Sequence, residues 1–260
     1  MNTKYNSLTV QKAIDILMLF KNHSKLSFTD IQGLLGFNKS TLSRLLKTLE
    51  YNRFLHRDEH GRYSVGLELF VLGNQFSNSF QVKRVAMPFL KDLSLKLNLT
   101  IHLGVLDGTE IVIIDKCNPP NNIALLSRVG STVPAHCTGQ GKVLLAFSSP
   151  GLIEAVIAKH GLKAFTPTTI TTSKDLFFEL AKIRSQGYAV DYSEHEQHTR
   201  CVAVPLLNHE TETVEAAISC TGLITEMTDD VLVNTAPILK EVRDKIAIEL
   251  GFFKTCAMEG

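Results

Sequence analysis

His195, His198 and Cys201 recur at three-residue intervals with Glu194 and Glu196 among them, and imidazole, thiolate and carboxylate are the groups that bind zinc. On a helix that spacing would place the three donors on one face. The segment after Asp191, however, reads as a loop entering a strand, where the spacing aligns nothing. A zinc-responsive site and an exposed loop with two histidines are both open to this stretch, and the loop is the plainer reading. A second cluster is Gly139-Gln140-Gly141-Lys142, which invites a phosphate-binding loop. The match fails twice: His136 occupies the place of the first glycine, and Val143 stands where a hydroxyl should meet Mg²⁺. What remains is a tight turn opening a helix, whose N–H groups suit a small anion such as a carboxylate. His136-Cys137 and Cys201 raise a third possibility, a thiol nucleophile with an imidazole base. No third orienting group is evident, so a buried small side chain is the plainer reading of each cysteine, and a thiol-dependent enzyme is the rival.

A different chemistry emerges from charge. The formal net charge is +1, yet residues 1–75 hold 10 Lys and Arg against 6 Asp and Glu, and the remainder hold 17 against 20. A head of +4 is thus joined to a body of −3, and between Asn38 and Arg57 five basic residues face Glu50 alone. Such a head suits a polyanion. Its pattern predicts a helix over about 8–21, with Val10, Ala13, Ile14, Leu17 and Phe20 on one face, then a short helix that Ser27 and Asp30 open as a capping box and Gly36 ends. A third helix follows over about 39–51. Leu42, Leu45, Leu46 and Leu49 point inward, and Ser40, Ser43, Arg44 and Lys47 outward. Phe54–Arg57 and Arg62–Val65 flank a turn at Asp58–Gly61, as in a β-hairpin. Two helices across a glycine turn, then a hairpin, make a winged helix-turn-helix. Ser40, Thr41, Ser43 and Arg44 are then the candidates for base edges, and Lys39, Lys47, Arg53, Arg57 and Arg62 those for phosphates of double-stranded DNA.

Residues 67–81 read as a linker helix with more apolar residues than a free linker carries, which predicts packing on a second copy of the chain. Pro88 predicts a kink or restart in the helix that follows. Beyond Leu99, short β-rich runs at 100–105, 110–115, 123–126, 189–191, 201–206 and 216–221 alternate with helices near 141–147, 152–159, 174–186 and 229–250. The fold class is α+β with two domains: residues 1–66 for DNA, 67–81 as linker helix, and 82–260 as a domain around a central, mainly antiparallel sheet. Apolar runs such as Ile111–Ile114 are far too short to span a bilayer, and an odd set of five cysteines without a Cys-x-x-Cys pair predicts the reducing cytoplasm.

With these modules placed, the chain resembles the IclR family of bacterial transcriptional regulators over nearly its whole length. The resemblance is carried by Ser7–Leu17, by Ser40–Leu49 and Gly61–Gly66, by Val105–Gly108, Ser127–Gly130 and Pro134–Lys142, and by Arg184–Asp191, Arg200–Pro205 and Ala216–Ser219, in that order and spacing. It implies a GAF-like effector domain of α/β type, a dimer or dimer of dimers, and small organic acids as effectors, with no other cofactor. Carried onto this sequence, the effector pocket comprises Gly139, Gln140, Asp191, Cys201, Ser219 and Thr221. Three positions depart from the family's habit: Gln140 replaces a small residue, His198 a glycine and Thr221 a serine. A DNA-binding regulator, most simply a repressor, follows. The rivals are an enzyme whose first helices only dimerise, and a module whose basic helix docks on an acidic protein.

Overall fold

The computed structural model describes residues 7–120 and 127–252, so the strand expected at 123–126 and the thiol of Cys256 lie outside the described residues. The chain divides into two compact units, residues 1–80 and 81–260.

In the first unit, α1 (Leu8–Leu19), α2 (Phe28–Leu35) and α3 (Lys39–Tyr51) precede strands β1 (Leu55–Arg57) and β2 (Tyr63–Val65) and helix α4 (Leu67–Ser79). The Ser27/Asp30 capping box is present: Asp30 N–H donates to Ser27 Oγ, and Ser27 N–H donates back to Asp30 Oδ2 at 2.8 Å. Gly36 ends α2 in the left-handed region at φ 66°, a conformation that side chains with a Cβ rarely adopt. Asn38 caps α3 by accepting from Thr41 N–H at 2.8 Å. Ile16, Ile31, Leu42, Leu45, Leu46 and Leu49 close a core under the hairpin residues Leu55 and Tyr63. Leu26 exchanges two backbone hydrogen bonds with Tyr63, at 3.0 and 2.7 Å, and so ties the entry to α2 onto the wing. No sequence signal announced that bridge, because a single paired residue carries no period.

The second unit comprises α5 (Gln81–Leu97), β3 (Thr100–Asp107), β4 (Glu110–Cys117), β5 (Thr132–Val133), α6 (Gly139–Ala146), α7 (Pro150–His160), α8 (Ser173–Gln186), β6 (Ala189–Asp191), β7 (Thr199–Asn208), β8 (Thr213–Leu223) and α9 (Asp229–Glu249). The strands form one sheet in the order β5-β4-β3-β8-β7-β6, and every pairing is antiparallel. Helix α6 packs on β3, β6, β7 and β8, while α5 and α9 pack on β3, β4, β7 and β8. Helix α5 continues through Pro88 without the restart that the proline allowed. Proline forfeits one hydrogen bond and crowds the preceding turn, but burial of Ala86, Leu90 and Leu93 on either side holds the helix together. None of the helices in the described residues is long and apolar enough to cross a membrane.

Candidate functional site

On α3, side chains three and four residues apart share a face. Ser40, Ser43, Arg44 and Lys47 line one shallow groove, which Thr48, Tyr51 and Asn52 extend. Thr41 is half-buried and is not among the groove's residues, whereas Lys39 is exposed at the first turn. Tyr51, 87 % exposed at the far end of the row, received no role from the sequence, because its position on the α3 wheel reads as the helix end.

The wing turn is organised by Asp58. Its Oδ1 accepts from the backbone N–H of Arg62 at 2.9 Å and of His60 at 3.1 Å, and its Oδ2 takes Lys25 Nζ at 3.0 Å. These hydrogen bonds, that from Arg62 N–H first, hold the carboxyl well below the usual carboxylate range. Arg62 Nε lies 3.4 Å from the same carboxylate, so its charge is shared with the turn, while the Arg57 guanidinium lies over the Tyr63 ring and Arg53 is exposed. A carboxyl whose folded pKa is depressed stabilises the fold above its unfolded pKa and loses that contribution as pH falls through the folded value. Asp58→Asn is therefore expected to melt below wild type at pH 7, the gap beginning to narrow only below about pH 4 and being smaller at about pH 2. Thermal melts at both pH values check it.

In the second unit the strand register assembles a polar row across the sheet. Asp191 pairs with Cys201, Cys201 with Thr221, Ala203 with Ser219, and Ser219 with His102. Paired residues share a face, and the two-residue period keeps Cys201 with Ala203 and Ser219 with Thr221 on it. The start of α6 covers this row. Thr138 caps the helix, donating to Pro134 O at 2.7 Å and accepting from Gly141 N–H at 3.1 Å. Among the described residues the N–H groups of Gly139 and Gln140 have no acceptor. The helix start lies close to its support: a Cβ on Gly141 would come within 2.4 Å of the Ala135 backbone, and one on Gly139 within 2.8 Å of Cys201 Sγ.

Between row and helix lies a cavity of about 240 Å³. All six residues named for the effector pocket, Gly139, Gln140, Asp191, Cys201, Ser219 and Thr221, line it. The side chain of Gln140 is tied back to the sheet. It folds over Gly104 and donates to Ala217 O at 3.3 Å, which leaves the backbone as the helix's donor. His102, Ser127 and Thr138 also line the cavity and were not singled out in the sequence. His102 was discoverable, since with Thr100 it alternates with apolar Ile101 and Leu103, but its neighbours follow only from strand order. Its Nε2 is 2.8 Å from Ser127 Oγ, and burial, with Lys116 adding, brings its pKa down to about 3. The ring is neutral at pH 7. Burial raises the pKa of Asp191 to about 7, against the opposing hydrogen bond from Glu194 N–H.

Burial also pushes the Cys137 and Cys201 thiols up to about 12, the reverse of an activated nucleophile, and His136 directs Nε2 to Lys163 O at 3.0 Å. The zinc reading is likewise overturned: His195, His198 and Cys201 form no ligand set, and no three His, Cys, Asp or Glu side chains among the described residues gather for a metal. Residues 192–198 are bends and turns, so equal spacing does not align them. His195 meets the Phe165 ring edge-on at 5.1 Å, and Cys201 faces the cavity.

A second cavity, of about 280 Å³, adjoins Thr132 and Val133 from the side of His136, His160 and Lys163. It holds none of the row's residues, so the convergence of distant segments makes the smaller one the candidate site.

The model of the C-terminal part of the bacterial transcriptional regulator IclR matches residues 75–248, and that of the IclR helix-turn-helix domain matches residues 9–59. The chain is 37 % identical over 246 residues to the HTH-type transcriptional regulator XynR of Escherichia coli, covering 94 % of this chain and 97 % of that one. It is 31 % identical over 244 residues to the HTH-type transcriptional repressor AllR of the same species, covering 93 % and 90 %. Among solved structures, the IclR of Thermotoga maritima superposes with a TM-score of 0.75 at 32 % identity over 94 % of this chain and 98 % of that one. An IclR regulator from Alicyclobacillus acidocaldarius gives 0.82 at 28 % identity, over 94 % and 99 %. These relatives are regulators and not enzymes, and the winged head, the antiparallel sheet and both family matches agree: the chain belongs to the IclR family of DNA-binding bacterial transcriptional regulators.

Proposed function

We propose that this protein is a cytoplasmic repressor whose hold on operator DNA is set by a small organic acid bound between the start of α6 and the sheet. The observation that carries the reading is the cavity, where residues from 102 to 221 bring hydroxyls to the start of α6, whose Gly139 and Gln140 N–H groups have no acceptor among the described residues. The acid's carboxylate is assigned to Gly139 and Gln140 N–H at the positive end of α6, and its remaining polar atoms to Asp191, Ser219 and Thr221, with Cys201 as floor. Ser127, Ser131, Thr132, Thr199 and His195 add polar groups that a hydroxylated acid would engage, beside the apolar surface to which Ile113 and Val133 contribute. Two likenesses support the class and the sign: AllR is named a repressor, and an IclR homologue from Microbacterium hydrocarbonoxydans was solved with 4-hydroxybenzoate.

In this reading residues 1–66 bind DNA, 67–81 link, and 82–260 sense the effector. Ser40, Thr41, Ser43 and Arg44 meet bases, and Lys39, Lys47, Arg53, Arg57 and Arg62 meet phosphates. Leu67, Phe70, Val71, Leu72 and Phe76 leave α4 with exposed apolar residues, which a second copy would cover in a dimer or dimer of dimers. Two copies then present two α3 helices to two half-sites. Lys47→Ala is expected to weaken binding to specific and non-specific DNA alike and to lower the slope of log K against log salt by about 1. Fluorescence anisotropy across a salt series reads both.

The effector assignment is tested by thermal shift with gluconate, glycerate and 4-hydroxybenzoate. Ligand at a hundredfold its Kd stabilises by about 2.7 kcal/mol. Gluconate is expected to give the largest shift, and Asp191→Ala and Ser219→Ala to abolish it. A shift untouched by both substitutions refutes the site.

A further inference from the structure

The lysine that made Gly139-Gln140-Gly141-Lys142 look like a phosphate loop has a different partner. Lys142 is 1 % exposed, and its Nζ donates to Val190 O at 2.6 Å and to Glu194 Oε1, with Glu179 at 3.9 Å. Glu194 is the most heavily tied residue of the loop between β6 and β7. Its N–H donates to Asp191 Oδ1 at 2.7 Å, and its carbonyl accepts from Thr169 Oγ1 at 2.6 Å and Thr166 Oγ1 at 3.2 Å. Its second carboxylate oxygen, Oε2, is buried and has no hydrogen-bond partner among the described residues. Two buried opposite charges with an orphaned oxygen are poor value for stability, since desolvation offsets most of their attraction and an apolar pair of equal volume often does as well. Their placement suggests another use. Lys142 is one turn from the N–H groups of Gly139 and Gln140, and Glu194 lies between Asp191 and the cavity residues His195 and Glu196.

We infer that the Lys142–Glu194 pair is a positioning latch, which fixes the separation between the two walls of the effector cavity and thereby sets effector affinity. This deepens the reading of that cavity as the effector site and rests on it. Lys142 and Glu194 touch no assigned DNA contact, so the latch acts on ligand binding and leaves DNA binding by the effector-free protein unchanged. It also acts on Asp191, which faces Glu194 and Glu196 from the loop, Lys142 from α6, Cys201 from β7 and Cys137 from the turn before α6. Removing the cation and removing the anion must therefore move the pH dependence of effector binding in opposite directions. A residue that merely held the fold together would not do this.

The experiment compares wild type, Lys142→Met, Glu194→Gln, the double variant and Glu194→Asp, by gluconate titration at pH 6, 7 and 8 and by hydrogen exchange. The double variant, with neither charge left buried alone, guards against misfolding of the single ones. It is expected to bind gluconate at least tenfold more weakly, with effector-free DNA affinity within twofold of wild type and faster exchange in residues 192–198 and at Gly139–Gly141. Glu194→Asp keeps both charges and shortens the reach, so it should fall between. The midpoint of the pH profile should rise in Lys142→Met and drop in Glu194→Gln. Unchanged gluconate affinity and unchanged exchange in the folded double variant overturn the latch, as does an equal loss of gluconate and DNA binding. Failure of gluconate to bind even wild type counts against the effector reading instead, and the exchange measurement then still decides whether the pair holds the loop.

Discussion

Gly141→Ala is expected to weaken effector binding at least tenfold and to lower the melting temperature by several degrees. A Cβ there would come within 2.4 Å of the Cα and the carbonyl oxygen of Ala135, and both are backbone atoms that cannot rotate away. Overpacking of this kind costs about 1–3 kcal/mol, and more where backbone must move. For a domain of this size each kcal/mol lowers the midpoint by about 2–4 °C. The relief available is a shift of the start of α6 away from the turn at Ala135. That shift carries the Gly139 and Gln140 N–H groups off the cavity, and a loss of at least tenfold in effector affinity follows. Gly33→Ala is the control. It lies in α2 with nothing within 4 Å of its Cβ, so alanine should be neutral or stabilise by up to about 1 kcal/mol. Thermal melts and effector titrations on the two variants read the contrast.

The second large effect is of pH. Asp191 has its folded pKa raised to about 7 by burial, above the unfolded carboxylate value. The folded state therefore binds more protons than the unfolded one between about pH 4 and pH 7, and stability declines as pH rises through that window at up to about 1.4 kcal/mol per unit. Bringing an anion into the same cavity raises that pKa further, so effector binding takes up a proton near neutrality. Effector affinity should weaken roughly tenfold from pH 6 to pH 8, a range in which the carboxylate ligand itself stays ionised. In Asp191→Asn the slope should vanish. Titrations in two buffers of different ionisation enthalpy would show the proton uptake in wild type and none in the variant.

Much of the head was legible from the sequence, for reasons that are local. The helix spanning 39–51, its inward leucines, the Ser27 cap and the Gly36 stop each follow from a period or from a residue that only one backbone geometry suits. The wing was visible in its turn, but Asp58 as its organiser was not, since three of its partners are spread over Lys25, His60 and Arg62. In the second unit the principal strands declared themselves by composition. The two-residue strand Thr132–Val133 did not, because two residues have no pattern. The anion-suited start of α6 was read from Gly139 to Gly141 directly. That Asp191, Cys201, Ser219 and Thr221 share its cavity came from family resemblance and not from spacing, because strand order alone brings together residues so far apart. His102 and the Lys142–Glu194 pair were missed for the same reason, and the zinc reading of His195, His198 and Cys201 failed because it assumed helical spacing in a bent segment.

On the proposed function, occupancy of the cavity controls the hold on DNA. The direct measurement is anisotropy of labelled DNA from the upstream region of the protein's own gene, titrated with wild type in the absence and in the presence of saturating gluconate, with Ser219→Ala alongside. Gluconate is expected to weaken wild-type binding at least tenfold, equivalent to about 1.4 kcal/mol of coupling, and to leave Ser219→Ala unmoved. Equal DNA affinity with and without ligand, in a wild-type protein that thermal shift shows to be saturated, would contradict it.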